Sequence, residues 1–168
     1  MKLPINFKKW IDDNRHLLKP PVGNKVIYEN ADFIIMVVGG PNARKDFHVD
    51  PIEEFFYQLE GNMILKIIDN GKPKDIYIRE GEIFLLPKNV PHSPQRFKNT
   101  VGLVVEYKRK IGQLDSFQWY CDDCHSLLYK IELQLENIVK QLPPLFENFW
   151  NNYEARTCKK CSSYLERN

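Results

Sequence analysis

From Phe33 to Tyr107 the chain alternates short apolar runs with turn signals, and this punctuation constrains the fold more than any other feature. Phe33 to Val38 is closed by Gly39-Gly40-Pro41-Asn42, and extended stretches follow at Phe47 to Tyr57 and Met63 to Ile68. Asp69-Asn70-Gly71-Lys72 carries a hairpin signal, because Asn and Gly tolerate the positive φ that tight turns require, and Asp75 to Arg79 pairs back after it. Glu80-Gly81 turns again, Ile83 to Leu86 is a strand stopped by Pro87, and Val101 to Tyr107 is a final long strand. Short strands at regular spacing with no helix between them predict a mainly β chain closed into a barrel or sandwich, and disfavour the parallel α/β classes.

The flanks read differently. Residues 5 to 18 place Phe7, Trp10, Ile11, Leu17 and Leu18 near a helical period, ended by Lys19-Pro20-Pro21-Val22-Gly23-Asn24, since proline cannot continue a helix. Ser126 to Leu142 carries Leu128, Ile131, Leu135, Ile138 and Leu142 at three- and four-residue steps, which predicts an amphipathic helix broken at Pro143-Pro144. Leu145 to Tyr153 predicts a second, aromatic-faced helix. The expected organisation is a β-barrel domain with an N-terminal helix over residues 1–115, and a short helical tail over 116–168. With 24 basic and 22 acidic residues the net charge is +2, so no electrostatic footprint for nucleic acid or anionic lipid stands out. No apolar run is long enough to span a bilayer, and the first residues carry no apolar signal-peptide core. The expectation is a cytoplasmic protein whose partner is a small molecule.

Two sets of rare residues carry chemistry. Along His48-Val49-Asp50-Pro51-Ile52-Glu53-Glu54, alternation places His48 and Glu54 on one face, but a straight strand would hold them roughly 20 Å apart. A bend near Pro51 must bring them together, and His92 joins from a neighbouring strand after Pro87 to Pro91. Two imidazoles and one carboxylate on one face of an octahedral ion are the non-haem Fe(II) oxygenase pattern, which leaves positions open for substrate and O2. Asp50 could in principle coordinate as well. Arg44 and Arg96 flank these ligands and suggest a clamp for a carboxylate, because guanidinium offers forked donors to a planar anion. Glu106 stands in the apolar strand Leu103-Val104-Val105-Glu106-Tyr107, where a buried charge needs a partner.

The joint pattern resembles the cupin superfamily, a double-stranded β-helix or jelly-roll barrel. Its first motif, G-x5-H-x-H-x3-4-E-x6-G, matches at His48, Glu54 and Gly61, and its second, G-x5-P-x-G-x2-H-x3-N, at Gly81, Pro87 and His92. Asp50 stands in place of a histidine, Asn89 in place of a turn glycine and Arg96 in place of the last asparagine. Within the cupins the chain resembles the 3-hydroxyanthranilate 3,4-dioxygenase family, through Asn14-Arg15-His16-Leu17-Leu18-Lys19-Pro20-Pro21-Val22-Gly23-Asn24, the two histidines and glutamate, Arg44, Arg96 and Gly102-Leu103-Val104-Val105-Glu106. The resemblance implies His48, Glu54 and His92 as ligands of a catalytic Fe(II). It implies Arg44, Glu54, Arg96 and Glu106 as catalytic and substrate-binding residues, with Asn24 and Val22 in a loop over the pocket. It implies ring opening of 3-hydroxyanthranilate by O2 to 2-amino-3-carboxymuconate semialdehyde, a precursor of quinolinate and NAD in tryptophan breakdown through kynurenine, and a homodimer.

Cys121-Asp122-Asp123-Cys124 and Cys158-Lys159-Lys160-Cys161 form the second set. Two Cys-x-x-Cys pairs suit a tetrahedral Fe or Zn site, and a cytosolic setting disfavours disulfides. The spacer is longer than in compact zinc ribbons, and bacterial-type members of the resembled family carry the same rubredoxin-like tail. A folding or dimer-supporting role is expected, because a dioxygenase draws its electrons from its substrate. His125 and Ser162 occupy places where rubredoxin knuckles often have glycine, and His125 is read as a residue at a helix start. The alternatives are a non-catalytic cupin that binds a small acid through Arg44 and Arg96, and a cupin isomerase or dioxygenase of another substrate.

Overall fold

The computed structural model describes residues 3–20, 23–136 and 138–167. Helix α1 (Phe7–Asn14) is capped by Asn6, whose side chain accepts from the Lys9 N–H at 3.0 Å, and runs into a 3-10 turn at Arg15–Leu17. Eleven strands follow: β1 (Asn24–Val26), β2 (Phe33–Gly39), β3 (Asp46–Val49), β4 (Glu54–Glu60), β5 (Met63–Asp69), β6 (Lys72–Ile78), β7 (Ile83–Leu86), β8 (His92–Arg96), β9 (Val101–Tyr107), β10 (Asp115–Tyr120) and β11 (Leu127–Leu133). Helices α2 (Ile138–Trp150) and α3 (Tyr153–Arg156) come next, before a last segment that ends at residue 167 of the described chain.

The strands form two antiparallel sheets, β1-β2-β9-β4-β7 and β11-β10-β3-β8-β5-β6. The expected mainly β class is what the chain adopts. Alternation sets the core between the sheets: Met63, Leu65 and Ile67 of β5 are buried with Phe56 of β4, Ile78 of β6, Leu86 of β7 and Val104 of β9. The stretch read as one strand from Phe47 to Tyr57 is two, because the bend at Pro51 carries the chain from one sheet to the other. Helix α1 covers part of the outer face of the five-stranded sheet, packing Phe7, Trp10 and Ile11 with Val37, Val101 and Leu103. Gly39 permits this docking, since a Cβ there would lie 1.9 Å from the Leu18 carbonyl oxygen.

The C-terminal region corrects the sequence reading. Residues 127–133, expected as the first half of a helix, are strand β11, paired to β10 from Asp115↔Leu133 to Tyr120↔Leu127. Tyr129, Ile131 and Leu133 are half-buried and alternate with exposed Lys130 and Glu132, so the segment also satisfies a period of two. The open edge of β10 decides between the periods by offering backbone partners. The helix expected to break at Pro143-Pro144 instead runs through them as α2. The two prolines sit in its second turn and forfeit two backbone donors. Packing of Leu142, Phe146, Phe149 and Trp150 around Phe117 and Trp119 offsets that loss. The boundary drawn near residue 115 falls where β10 begins, and β10 and β11 extend the six-stranded sheet.

Candidate active site

Inward-facing positions of both sheets meet in a cavity of about 140 Å³. The five-stranded sheet contributes Glu54 from β4 and Glu106 from β9, which are direct neighbours in register, and Asn24 from β1. The six-stranded sheet contributes His48 from β3 and His92 from β8, also paired in register, and Arg96 four residues along β8. Arg44, just before β3, completes the set of sequence candidates at the wall. Val22 lies outside the described residues. Met36, Phe56, Val104 and Phe117 supply apolar lining, with Leu135 and Leu142 from the loop after β11 and from α2.

Glu54 and His92 form the tightest pair. The Nδ1 of His92 lies 3.0 Å from the Val90 carbonyl, which can only accept, so Nδ1 carries a proton and Nε2 is the nitrogen turned to Glu54. That Nε2 sits 2.9 Å from Oε2 of Glu54, a buried oxygen with no other partner. Burial would push the Glu54 carboxyl up, but the charge and hydrogen bonding of the facing His92, with Arg109 beyond it, hold it below its ordinary value. An imidazole nitrogen and a carboxylate oxygen held this close need a cation between them. Bonds of about 2.1 Å at right angles would set such donors about 3.0 Å apart. His48 is turned away from this pair: its Nε2 meets Oδ1 of Asp115 at 2.7 Å, its ring stacks on Phe117 at 4.8 Å, and its nitrogens group with the carboxylates of Asp50 and Asp115. Burial lowers its pKa, so the ring is neutral and Asp115 accepts from it.

The two arginines have different surroundings. Arg44 donates to Asp46 through Nε at 3.0 Å and also through Nη2, so its charge is matched within the protein. Arg96 has no carboxylate partner among the described residues. It is buried, its Nη1 donates to Oε1 of Gln58 at 3.1 Å, and its Nε has no partner. Burial lowers its pKa to about 10, with Glu54 opposing, so it stays a cation at neutral pH. An unmatched buried guanidinium bordering a cavity calls for an anion.

Arg109 escaped the sequence reading, and it organises the rest. Its buried guanidinium meets Glu106 at 2.7 Å, Asp50 at 2.6 Å and Asp115 at 2.8 Å. Asp50, weighed above as an extra metal ligand, is thus engaged elsewhere. Burial and a hydrogen bond with Glu106 raise its pKa to about 9, against the pull of Arg109, so at neutral pH its hydroxyl donates to Glu106. Asp115 stays ionised despite burial, because His48 and Arg109 both donate to it. In the sequence Arg109 stands between Lys108 and Lys110 and reads as a solvated basic run, so only the fold exposes it. Asn89, where the cupin motif has glycine, takes a φ of 64° and accommodates the turn before β8.

The four cysteines lie together at the end of β10 and after α3. Cys121 Sγ is 3.6 Å from Cys161 Sγ and Cys124 Sγ is 3.5 Å from Cys158 Sγ, with no disulfide formed. Thiolates at about 2.3 Å from a tetrahedral ion would stand about 3.8 Å apart, close to these separations. Ser163 Oγ lies 3.0 Å from the sulfurs of both Cys121 and Cys161. His125 and Ser162 take positive φ of 57° and 62°, and their N–H groups donate to the carbonyls of Cys121 and Cys158, so the knuckle geometry is kept without glycine. His125 therefore closes a turn between β10 and β11 and does not start a helix.

A family profile described as 3-hydroxyanthranilic acid dioxygenase matches residues 1–150. Proteins named 3-hydroxyanthranilate 3,4-dioxygenase are similar over almost the whole chain. That of Shewanella woodyi is 55% identical over 94% of this chain and 84% of its own length, and that of Jannaschia sp. is 57% identical over 94% and 88%. Among solved structures, a cupin-2 domain protein from Shewanella frigidimarina is 23% identical with a TM-score of 0.49, covering 61% of this chain and 93% of its own.

Proposed function

The chain belongs to the 3-hydroxyanthranilic acid dioxygenase family, and we propose from that premise that its cavity opens the ring of 3-hydroxyanthranilate with O2 to give 2-amino-3-carboxymuconate semialdehyde. The bond between the hydroxyl-bearing C3 and its neighbour C4 breaks, and both oxygen atoms end in the product. The observation that carries the site assignment is the convergence of Glu54 and His92 on an orphaned carboxylate oxygen, across the cavity from an unmatched Arg96.

His48, Glu54 and His92 would hold the catalytic metal, read as Fe(II), which when bound would chelate the aminophenol oxygen and nitrogen and carry electrons from the ring to O2. His48 would complete the set by turning from Asp115, which Arg109 already holds. Arg96 takes the ring carboxylate and so fixes which ring carbons face the reacting centre. Glu106, oriented by Arg109, stands at the wall to accept the hydroxyl proton of the substrate. Met36, Phe56 and Val104 exclude water from the ring's faces, and Asn24 borders the mouth. The Cys121, Cys124, Cys158 and Cys161 site would hold a second Fe or Zn with a structural role.

The outer face of the five-stranded sheet supports a homodimer. Phe33, Ile83, Leu85 and Tyr107 are exposed there beyond the cover of α1. Among the described residues no helix is long and apolar enough to cross a membrane, which accords with a cytoplasmic enzyme. The test is to load the protein with Fe(II) under argon, add 3-hydroxyanthranilate and admit air. One O2 consumed per substrate, with the near-ultraviolet absorbance of the product, is the expected result. No uptake by fully loaded protein overturns the reading.

A further inference from the structure

The substrate carboxylate in the reading above is met by Arg96, and the structure shows what holds that guanidinium in place. Gln58 is a β4 residue with 1% exposure, on the same inward row as Glu54 and Phe56. Its amide cannot turn over: Nε2 donates to the Glu60 carbonyl at 3.0 Å, so Oε1 is the atom presented to Nη1 of Arg96. Its backbone is tied on both sides, N–H to the Glu82 carbonyl at 3.0 Å and carbonyl to the Gly81 N–H at 2.8 Å. Directly across in register is Gly102 of β9, over which the guanidinium lies. A Cβ at Gly102 would stand 2.6 Å from Nη1 of Arg96 and 2.9 Å from Oε1 of Gln58. Both strands thus shape one seat for one side chain.

Two properties of this seat bear on selectivity. Gln58 occupies Nη1 while Nε is buried without a partner, so the Nε side of the guanidinium is the one left to meet a carboxylate. Gln58 is also neutral. A carboxylate in its place would give Arg96 an internal counter-ion and remove the reason for a buried cation to draw in an anionic ring.

We infer that Gln58, seated against Gly102, is a positioning residue that sets the selectivity of the cavity for aromatic ligands bearing a carboxylate, by fixing the free edge of Arg96 while leaving its charge unmatched. This rests on the functional reading above. The experiment compares iron-loaded wild type, Gln58→Met and Gln58→Glu, under argon, by calorimetric binding of 2-aminobenzoate and of 2-aminophenol, which lacks the carboxylate. Methionine matches the glutamine in size and removes the acceptor. Its variant should weaken 2-aminobenzoate binding about tenfold, as expected for losing one hydrogen bond to a charged group, and leave 2-aminophenol within about twofold. The glutamate variant should weaken 2-aminobenzoate further. In turnover, KM for 3-hydroxyanthranilate should rise more than kcat falls. Equal weakening of both ligands, or no change in either, would overturn the inference, since a purely structural role moves both together. Methionine alone decides the matter if the glutamate variant does not fold. Failure of the functional reading looks different, because iron-loaded wild type itself would then consume no O2 with 3-hydroxyanthranilate.

Discussion

Replacing Arg109 by Met tests the charge accounting of the buried wall. Its side chain is 4% exposed and its three carboxylate partners, Asp50, Glu106 and Asp115, are at most 5% exposed, so solvent screens none of these contacts. Removing one partner of a buried ionic cluster costs about 3–5 kcal/mol, because the charges left behind lose their compensation. Asp50 is protonated at neutral pH, with its pKa near 9, so it contributes a neutral hydrogen bond and the loss should sit in the lower part of that range. For a chain of this size each kcal/mol lowers Tm by about 2–4 °C, which gives an expected fall of about 6–12 °C by scanning calorimetry. Arg109→Lys keeps the charge but cannot reach three carboxylates at once, and should fall about half as far. Arg109→Met should also lose iron faster on dialysis, because an Asp115 released by Arg109 competes for His48, which must turn from it to hold the metal. A Tm within 2 °C of wild type, with iron retained, would refute the assignment of Arg109 as the cation that compensates this wall.

Other perturbations have separate readouts. His92→Ala removes one of the two donors that converge at 2.9 Å, and should abolish iron retention and turnover together, measured by metal analysis of the dialysed protein. Gly39→Ala sets a Cβ 1.9 Å from the Leu18 carbonyl and should lever the 3-10 turn and α1 off the sheet, at about 1–3 kcal/mol, with Trp10 fluorescence shifting to the red. Cys158→Ser should bind about one metal equivalent less per chain and unfold several degrees earlier, since the thiolates tie the end of β10 to the segment after α3. Unchanged metal content in that variant would remove the tetrahedral site.

The sequence was most legible where each strand had to satisfy one rule only. Ile83–Leu86 and Val101–Tyr107 were read with their observed bounds, because turn signals close both ends and apolar side chains alternate between a core and an outer face. Residues 127–133 satisfy two rules at once, and the choice between strand and helix depends on the free edge of β10, a partner distant in the fold. The same limit governs the site. His48, Glu54 and His92 could be found because their spacing matches a motif, and a bend at Pro51 was required to unite the first two. Gln58, Arg109 and Asp115 obey no local pattern. Gln58 is an ordinary polar residue until the register places it beside Gly102, and Arg109 is one cation of three until the sheet folds three carboxylates around it.

Strand β10 connects the two chemical centres. Its first residue, Asp115, holds His48, and the residue after its last, Cys121, belongs to the cysteine cluster. In between, Phe117 pairs in register with His48 and stacks on its ring, while Trp119 pairs with Asp46, the partner of Arg44. Lys45, between those two β3-side residues, reaches Asp122 inside the first Cys-x-x-Cys at 2.6 Å. The strand is short, so a slip of one residue at the cysteine end would turn Phe117 away from His48 and Asp115 out of the cavity wall. A metal at the cysteines would pin that register from outside the barrel and secure α2, which brings Leu142 to the cavity. On this argument loss of the cysteine metal should reach the catalytic site as a change in how firmly His48 is held, before it reaches the barrel core around Met63 and Leu65.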